Sequence, residues 1–220
     1  MAALVLLAGI VASFVMGTPP RSVRGEPAAR NFLDVWRRSR EATYVVRSDF
    51  VRTLPDGNKL RSTTTTVQRP PDDRLVIGLG AVSGRVGGRI VRCAPASGPG
   101  GPCVIGDRAI DYGREVDNEI DGLASYVLGS RPLYQVVDFG QSGDRCFRLD
   151  LALGLPSPPY GDHALFCFDR DTGAPSLIEI RRPEAVDRTV ARQIRTVVTD
   201  ADVRIPDDRG PTVDVGGPGA

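Results

Sequence analysis

The spacing of apolar positions changes several times along this chain, and each change marks an element. From Pro27 to Ala42, Phe32, Leu33, Val35 and Trp36 fall on or near one face of a helix, while Arg37, Arg38, Arg40 and Glu41 read as largely solvated. At Thr43 the period drops to two. Tyr44 to Arg52 reads as a strand, Pro55-Asp56-Gly57-Asn58 as a turn, and Thr63 to Gln68 as the returning strand. A second unit runs from Arg74 to Leu79, through a stretch punctuated by glycines, to Arg89–Cys93. Helical spacing returns at Val116, Ile120, Leu123 and Val127, with Glu115, Asp117, Glu119 and Asp121 in the first turns, where the helix dipole favours negative charge. This predicts a helix over 113–128 that stops at Gly129. Strands follow at Leu133–Phe139, in two runs around Cys146 and Cys167, at Ser176–Arg181 and at Thr189–Val198, with a short last piece at Asp202–Ile205.

Hairpins dominate, with one helix before them and one inserted midway. The expected class is therefore α+β: a curved antiparallel sheet, an open half-barrel, with an N-terminal and a mid-chain helix packed on it. One domain spans 27–205, because no linker composition interrupts it. Residues 1–17 form an uncharged apolar run ended by Gly17, Thr18, Pro19 and Pro20, shorter than the ~20 residues that span a bilayer. It reads as a signal peptide or membrane anchor that touches the membrane during or after export, with 18–26 as a linker. Residues 206–220, rich in Asp, Gly and Pro, read as a disordered tail.

Charge removes several function classes. The 220 residues carry 28 Lys+Arg against 27 Asp+Glu, a net charge of +1, so no one-sign field exists to attract nucleic acid. The cysteines point to an oxidising compartment. Cys93 and Cys103 bracket a loop of Ala, Pro, Ser and Gly, and a bridge at its neck would close it. If the runs around Cys146 and Cys167 pair with these two cysteines opposite, Phe147 meets Phe166 and Leu149 meets Ala164, a self-consistent register. Each bridge would contribute about 2–4 kcal/mol. Four buried free thiols are the alternative.

Catalytic and cofactor motifs fail in detail. Gly78-Leu-Gly80-Ala-Val-Ser-Gly84 places its last glycine one position late for a dinucleotide fingerprint, and its glycines read as hairpin turns. Asp169-Arg-Asp171-Thr172-Gly173 reads as a β-turn, with Asp and Thr bonding their own backbone. Ser142 lies outside any G-x-S-x-G, and His163, the one histidine, reads as an exposed loop residue. No enzyme, cofactor or metal site is expected.

The order of elements, together with the turn Phe168-Asp-Arg-Asp-Thr-Gly-Ala-Pro175, resembles the LolA/LppX/LprG superfamily of periplasmic lipoprotein carriers and its Asp-x-x-Thr-Gly-x-Pro turn. The arginine-rich composition is similar to that of small exported actinobacterial proteins. The resemblance implies a sheet curled around an apolar cavity that takes lipid or lipoprotein acyl chains. It equally implies an envelope sensor or adaptor binding a membrane protein partner, since the superfamily includes sensors that bind anti-sigma factors. Cavity-lining candidates are Phe147, Leu149, Leu151 and Phe166 on the strands and Val116, Ile120, Leu123 and Val127 on the covering helix. A filled core fits these residues equally well. The lipobox cysteine of the LppX/LprG group is missing.

Overall fold

The computed structural model describes residues 22–78, 80–94, 102–140, 143–205 and the backbone of 212–214. The leader or anchor expected over 1–17 lies outside the described residues, as does the expected tail apart from those three. The elements are β1 (Val23–Arg24), α1 (Glu26–Glu41), β2 (Tyr44–Thr53), β3 (Lys59–Arg69), β4 (Asp73–Gly78), β5 (Ala81–Val86), β6 (Arg89–Cys93), β7 (Cys103–Arg108), α2 (Tyr112–Val127), β8 (Tyr134–Gly140), β9 (Asp144–Leu151), β10 (His163–Asp169), β11 (Pro175–Arg182), β12 (Ala185–Arg195) and β13 (Thr212–Asp214).

All strands join one curved, unclosed sheet in the order β1-β8-β9-β10-β11-β12-β2-β3-β4-β5-β6-β7-β13. Every pairing is antiparallel except β13 on β7. After α1 the chain enters at the middle with β2 and meanders outward to β7. Helix α2 carries it to the other side, and β8 to β12 meander back inward. The seam is the β12–β2 pairing, registered from Val186 opposite Thr53 to Arg195 opposite Val45.

Pattern and caps explain the two helices. Pro27 sits in the first turn of α1, where a missing N–H costs nothing. Asp111 caps α2, its side chain accepting from the Arg114 N–H at 3.0 Å. Both helices lie one residue N-terminal to the expected bounds. Several strand expectations change. Residues expected as linker form β1, where Val23 and Arg24 pair with Asp138 and Val137. Three residues of the expected tail form β13. The glycine-punctuated stretch is strand β5, and Gly84 is a mid-strand residue where a turn was expected. Its φ is +144°, and a Cβ there would lie 1.9 Å from the Arg74 carbonyl oxygen, so β5 can approach β4 only at a glycine. Asp202–Ile205 forms turns in place of the expected last strand.

The main apolar clusters of the two halves lie on opposite faces of the sheet. In β8–β11, Tyr134, Val136, Phe147, Leu149, Ala164 and Phe166 pack against Phe32 and Val35 of α1 and the apolar stripe of α2. Directly opposed residues share a face, so the row Phe166–Ile178–Thr189–Phe50 carries this inner face across the seam. Alternation along β2 then puts Val45 on the outer face, in register with Val67, Leu75, Gly84 and Val91. These outer residues form the apolar cluster of the second half, covered by Val198, Val203 and Ile205 of the segment after β12, while Tyr44, Val46, Gln68 and Arg85 are buried on the inner face. Asp202 pins that strap by accepting from Thr199 N at 2.8 Å and Thr199 Oγ1 at 2.7 Å, and it pairs with Arg195.

Two outcomes follow from this packing. Ile120 is 8% exposed within the α2 stripe, so Ile120→Asp should cost at least about 3 kcal/mol in urea or thermal melts, and a variant melting like wild type would refute the burial. The bonds from Arg195 and Thr199 hold the Asp202 carboxyl far below the usual carboxylate range. Because the folded value is depressed, its contribution is present above the unfolded value of about 3.9 and fades as pH falls through the folded one. Asp202→Asn should therefore raise amide exchange over 196–205 at neutral pH, and the difference from wild type should narrow only in strong acid.

Candidate functional site

The eight sequence-derived lining candidates come together, but as packed core. Val116, Ile120, Leu123 and Val127 meet Phe147, Leu149 and Phe166 in one buried cluster, with Leu151 at its border. Aromatic rings fill the space between α1 and the sheet. Phe32 stands edge-on to Phe147 with centroids 5.4 Å apart, and Trp36 to Phe166 at 5.3 Å. The Tyr134 hydroxyl donates to Gly161 O at 3.0 Å and accepts from Tyr160 N at 2.9 Å. Burial, and next the nearby Glu119, push the Tyr160 hydroxyl up to about 12.

Open space lies beside this cluster, toward the seam. A partly open cavity of about 170 Å³ is lined by Trp36, Ser39 and Arg40 of α1, Glu119 of α2 and the inner faces of β2, β3, β4, β11 and β12. Its walls divide by chemistry. Trp36, Val46, Phe168, Leu177 and Ile178 are apolar; Tyr44, Ser48, Thr64, Thr66, Ser176 and Thr189 carry hydroxyls; Arg74 stands among them. None of the eight sequence candidates contributes to this lining. A larger hollow of about 600 Å³ lies on the outer face beside the strap, but it is wide and its Arg195 and Asp202 pair with each other.

A buried ion network borders the cavity. The sequence pattern suggested a solvated Arg40; its side chain is instead 6% exposed. Arg40 Nη2 lies 3.0 Å from Glu115 Oε1, and Arg40 Nε lies 3.0 Å from Glu119 Oε2. Trp36 Nε1 donates to Glu119 Oε1 at 2.8 Å. Arg85 Nη2 reaches Glu115 Oε2 at 2.9 Å and donates to Ile110 O at 2.7 Å. The Tyr112 ring stacks with both guanidinium groups, at 5.7 Å from Arg40 and 5.2 Å from Arg85, and its hydroxyl donates to Arg40 O at 2.5 Å. Gln68 Nε2 lies 2.6, 2.8 and 2.9 Å from the carbonyls of Ser39, Arg40 and Ala42, closing the C-terminus of α1.

Arg74 differs from these arginines. It makes no hydrogen bond or ion pair among the described residues, and its Nε is fully buried without a partner. Burial lowers its pKa, and the charge of Arg40 lowers it further. The sequence reading missed Arg40, Arg74, Arg85, Glu115 and Glu119 as a group. One signal was available: Phe32, Trp36 and Arg40 recur every four residues, so Arg40 continues the apolar stripe.

The remaining expectations resolve locally. Disulfides join Cys93 to Cys103 and Cys146 to Cys167, each with Cα atoms 4.0 Å apart, and Phe147 opposes Phe166 and Leu149 opposes Ala164 as the register required. In the turn after β10, Asp169 Oδ1 accepts from Thr172 N at 2.8 Å and Thr172 Oγ1 at 2.6 Å, and Gly173 has φ +72°. His163 opens β10, exposed, with Nδ1 2.9 Å from Asp150 Oδ1. Ser142 lies outside the described residues. Among the described residues no cluster of His, Cys, Asp or Glu is placed to hold a metal ion, and no helix is long and apolar enough to cross a membrane.

No protein-family model and no curated protein matches the chain. Solved structures do. MucB in complex with MucA(peri) aligns at TM-score 0.50 and 14% identity, over 84% of this chain and 62% of that one. The MucA/MucB complex of Pseudomonas aeruginosa aligns at 0.49 and 14%, over 83% and 62%. A LolA superfamily protein of Nitrosomonas europaea aligns at 0.35 and 9%, over 81% and 98%. This chain thus spans 62% of the MucB length. At such identities the likeness is one of fold, shared with MucB: an open antiparallel sheet with two helices against its inner face.

Proposed function

We propose that this chain is an extracytoplasmic, non-catalytic binding protein that engages the exposed segment of a membrane protein partner and does not enclose an acyl chain. The carrying observation is the filled interior. The space an acyl chain would need is occupied by Phe32, Phe147, Phe166 and the α2 stripe, and the remaining cavity of about 170 Å³ is below the ~300–1,000 Å³ of ligand-enclosing pockets. The two disulfides support an oxidising compartment. The ionisable groups between the helices and the sheet are mostly held in ion pairs, which supports a role without catalysis.

The partner surface we assign is the inner face of the β3–β7 half. Register puts Leu60, Ile90 and Val104 on this face, and they are 59, 37 and 42% exposed. Arg92, opposite Val104, adds positive charge, so an extended segment with apolar and acidic side chains fits. MucB, which shares the fold, was solved in complex with MucA(peri), in keeping with a fold that holds a protein partner.

A photo-crosslinking residue at position 104, in the full chain expressed in its own envelope, should yield a discrete protein adduct. Val104→Glu should abolish binding of that partner to the purified chain while leaving the unfolding free energy within about 0.5 kcal/mol of wild type. Native mass spectrometry should show no acyl ligand. Stoichiometric lipid together with no adduct at position 104 would overturn the reading in favour of a lipid carrier.

A further inference from the structure

We infer that the cavity between α1 and the seam strands is a binding site for a small carboxylate with a short apolar tail, held by Arg74. Charge counting leads there first. Arg40, Arg74 and Arg85 bring three positive charges to the space between the helices and the sheet, while Glu115 and Glu119 bring two negative ones. Both carboxylates are engaged. Glu119 offers one oxygen to Trp36 Nε1 and the other to Arg40, and Glu115 divides its oxygens between Arg40 and Arg85. The surplus charge is Arg74, a half-buried side chain whose Nε is shut away without a hydrogen-bond partner. A guanidinium nitrogen shut away without a partner is costly, and arginine does not escape the cost by losing its proton.

A second orphan donor borders the same space. Ser176 Oγ is buried without a partner and, like Arg74, lines the cavity. Two unsatisfied donor groups around one hollow call for an acceptor. The planar fork of a guanidinium matches a carboxylate with two parallel bonds, and the surrounding hydroxyls of Tyr44, Ser48 and Thr66 can add further donors. Burial raises the Tyr44 pKa, which keeps that hydroxyl protonated.

The rest of the lining sets the tail. Trp36, Phe168 and Ile178 make an apolar wall that gains nothing from a phosphate or sulfate. At about 170 Å³ the cavity has the room of about six water molecules at ~30 Å³ each, which suits an acid of about four to six carbons and excludes a long chain. This site adjoins the β3–β7 partner face at Thr64, Thr66 and Arg74 but contains none of Leu60, Ile90 or Val104, and it stands whether or not a protein docks there.

Trp36 is the single tryptophan of the chain and lines the cavity, so its emission reports occupancy directly. The full exported protein is titrated at constant ionic strength with acetate, butyrate, hexanoate, decanoate, inorganic phosphate and chloride, with melts alongside. Butyrate and hexanoate should change Trp36 emission saturably and raise the melting temperature by about 2–4 °C near saturation, with acetate weaker and the others inert. Arg74→Met should abolish the response and melt above ligand-free wild type, because it removes an unpaired charge. Ala191→Leu, which fills the cavity but keeps Arg74, should also abolish it. A flat wild-type titration, or an equal response in Arg74→Met, would overturn the site. A response to decanoate alone, or to phosphate or chloride as strongly as to hexanoate, would overturn its assignment to short carboxylates.

Discussion

The placement of both helices depends on Arg40. Its guanidinium is buried between α1, which carries it, and α2, whose Glu115 and Glu119 receive it. Through Glu115 the same network reaches Arg85 on β5, and through Tyr112 it returns to the C-terminal carbonyls of α1. Such a cluster is a poor source of net stability, because desolvation offsets most of the Coulomb gain. Its effect is on geometry. Removing one side of a buried pair costs about 3–5 kcal/mol, and water at the third-exposed glutamates reduces that figure. Alternative helix positions that would separate these charges are therefore penalised, whereas an apolar contact alone would tolerate a slide of the helix along the sheet. Gln68 adds a second constraint by tying the end of α1 to β3.

With the helices fixed over β8–β11, the other half of the sheet needs a different cover. The helices touch its inner face only at Gln68, Arg85 and the cavity wall, and leave Leu60, Ile90 and Val104 exposed. The chain turns Val45, Val67, Leu75, Val82 and Val91 outward and lays the strap after β12 across them. A strap of turns has few backbone bonds of its own, which is why it relies on Asp202 and Arg195. The disulfides join adjacent strands in each half, so neither half depends on the other for its crosslink.

Much of this architecture was legible in the sequence. The α2 stripe, the two-residue period of β2 and the register of the cysteine hairpin each follow from local spacing, and local spacing is what a single sequence displays. The reversal of burial at the seam was not legible. Val45 and Val46 are adjacent, both apolar and both buried, so the pattern does not say which face is covered or by what. Strand β7 was hidden because the sequence before it is rich in glycine and proline and its apolar residues are confined to Cys103, Val104 and Ile105. Arg40 was assigned to solvent by residue type, although its four-residue spacing from Trp36 placed it inside. Arg74 had no local signal at all, since its isolation is defined by residues from α1, β11 and β12.

Side-chain volume decides why the interior is solid at one end and hollow at the other. Under the middle of α1 the inner face presents Phe147, Phe166 and Phe168, long enough to reach Phe32 and Trp36. Across the seam the same face continues as Thr189, Ala191, Ser48, Thr64 and Thr66. These side chains are too short to meet the helix at the same separation. A void therefore follows from a smoothly curved sheet whose residues shrink along one direction. Native interiors seldom leave such volume empty, and when they do the lining is normally apolar. Here the short residues are hydroxyls and the floor holds a charge, so this hollow has the chemistry of a site, and its cost to the fold is the loss of packing that Ser, Thr and Ala impose.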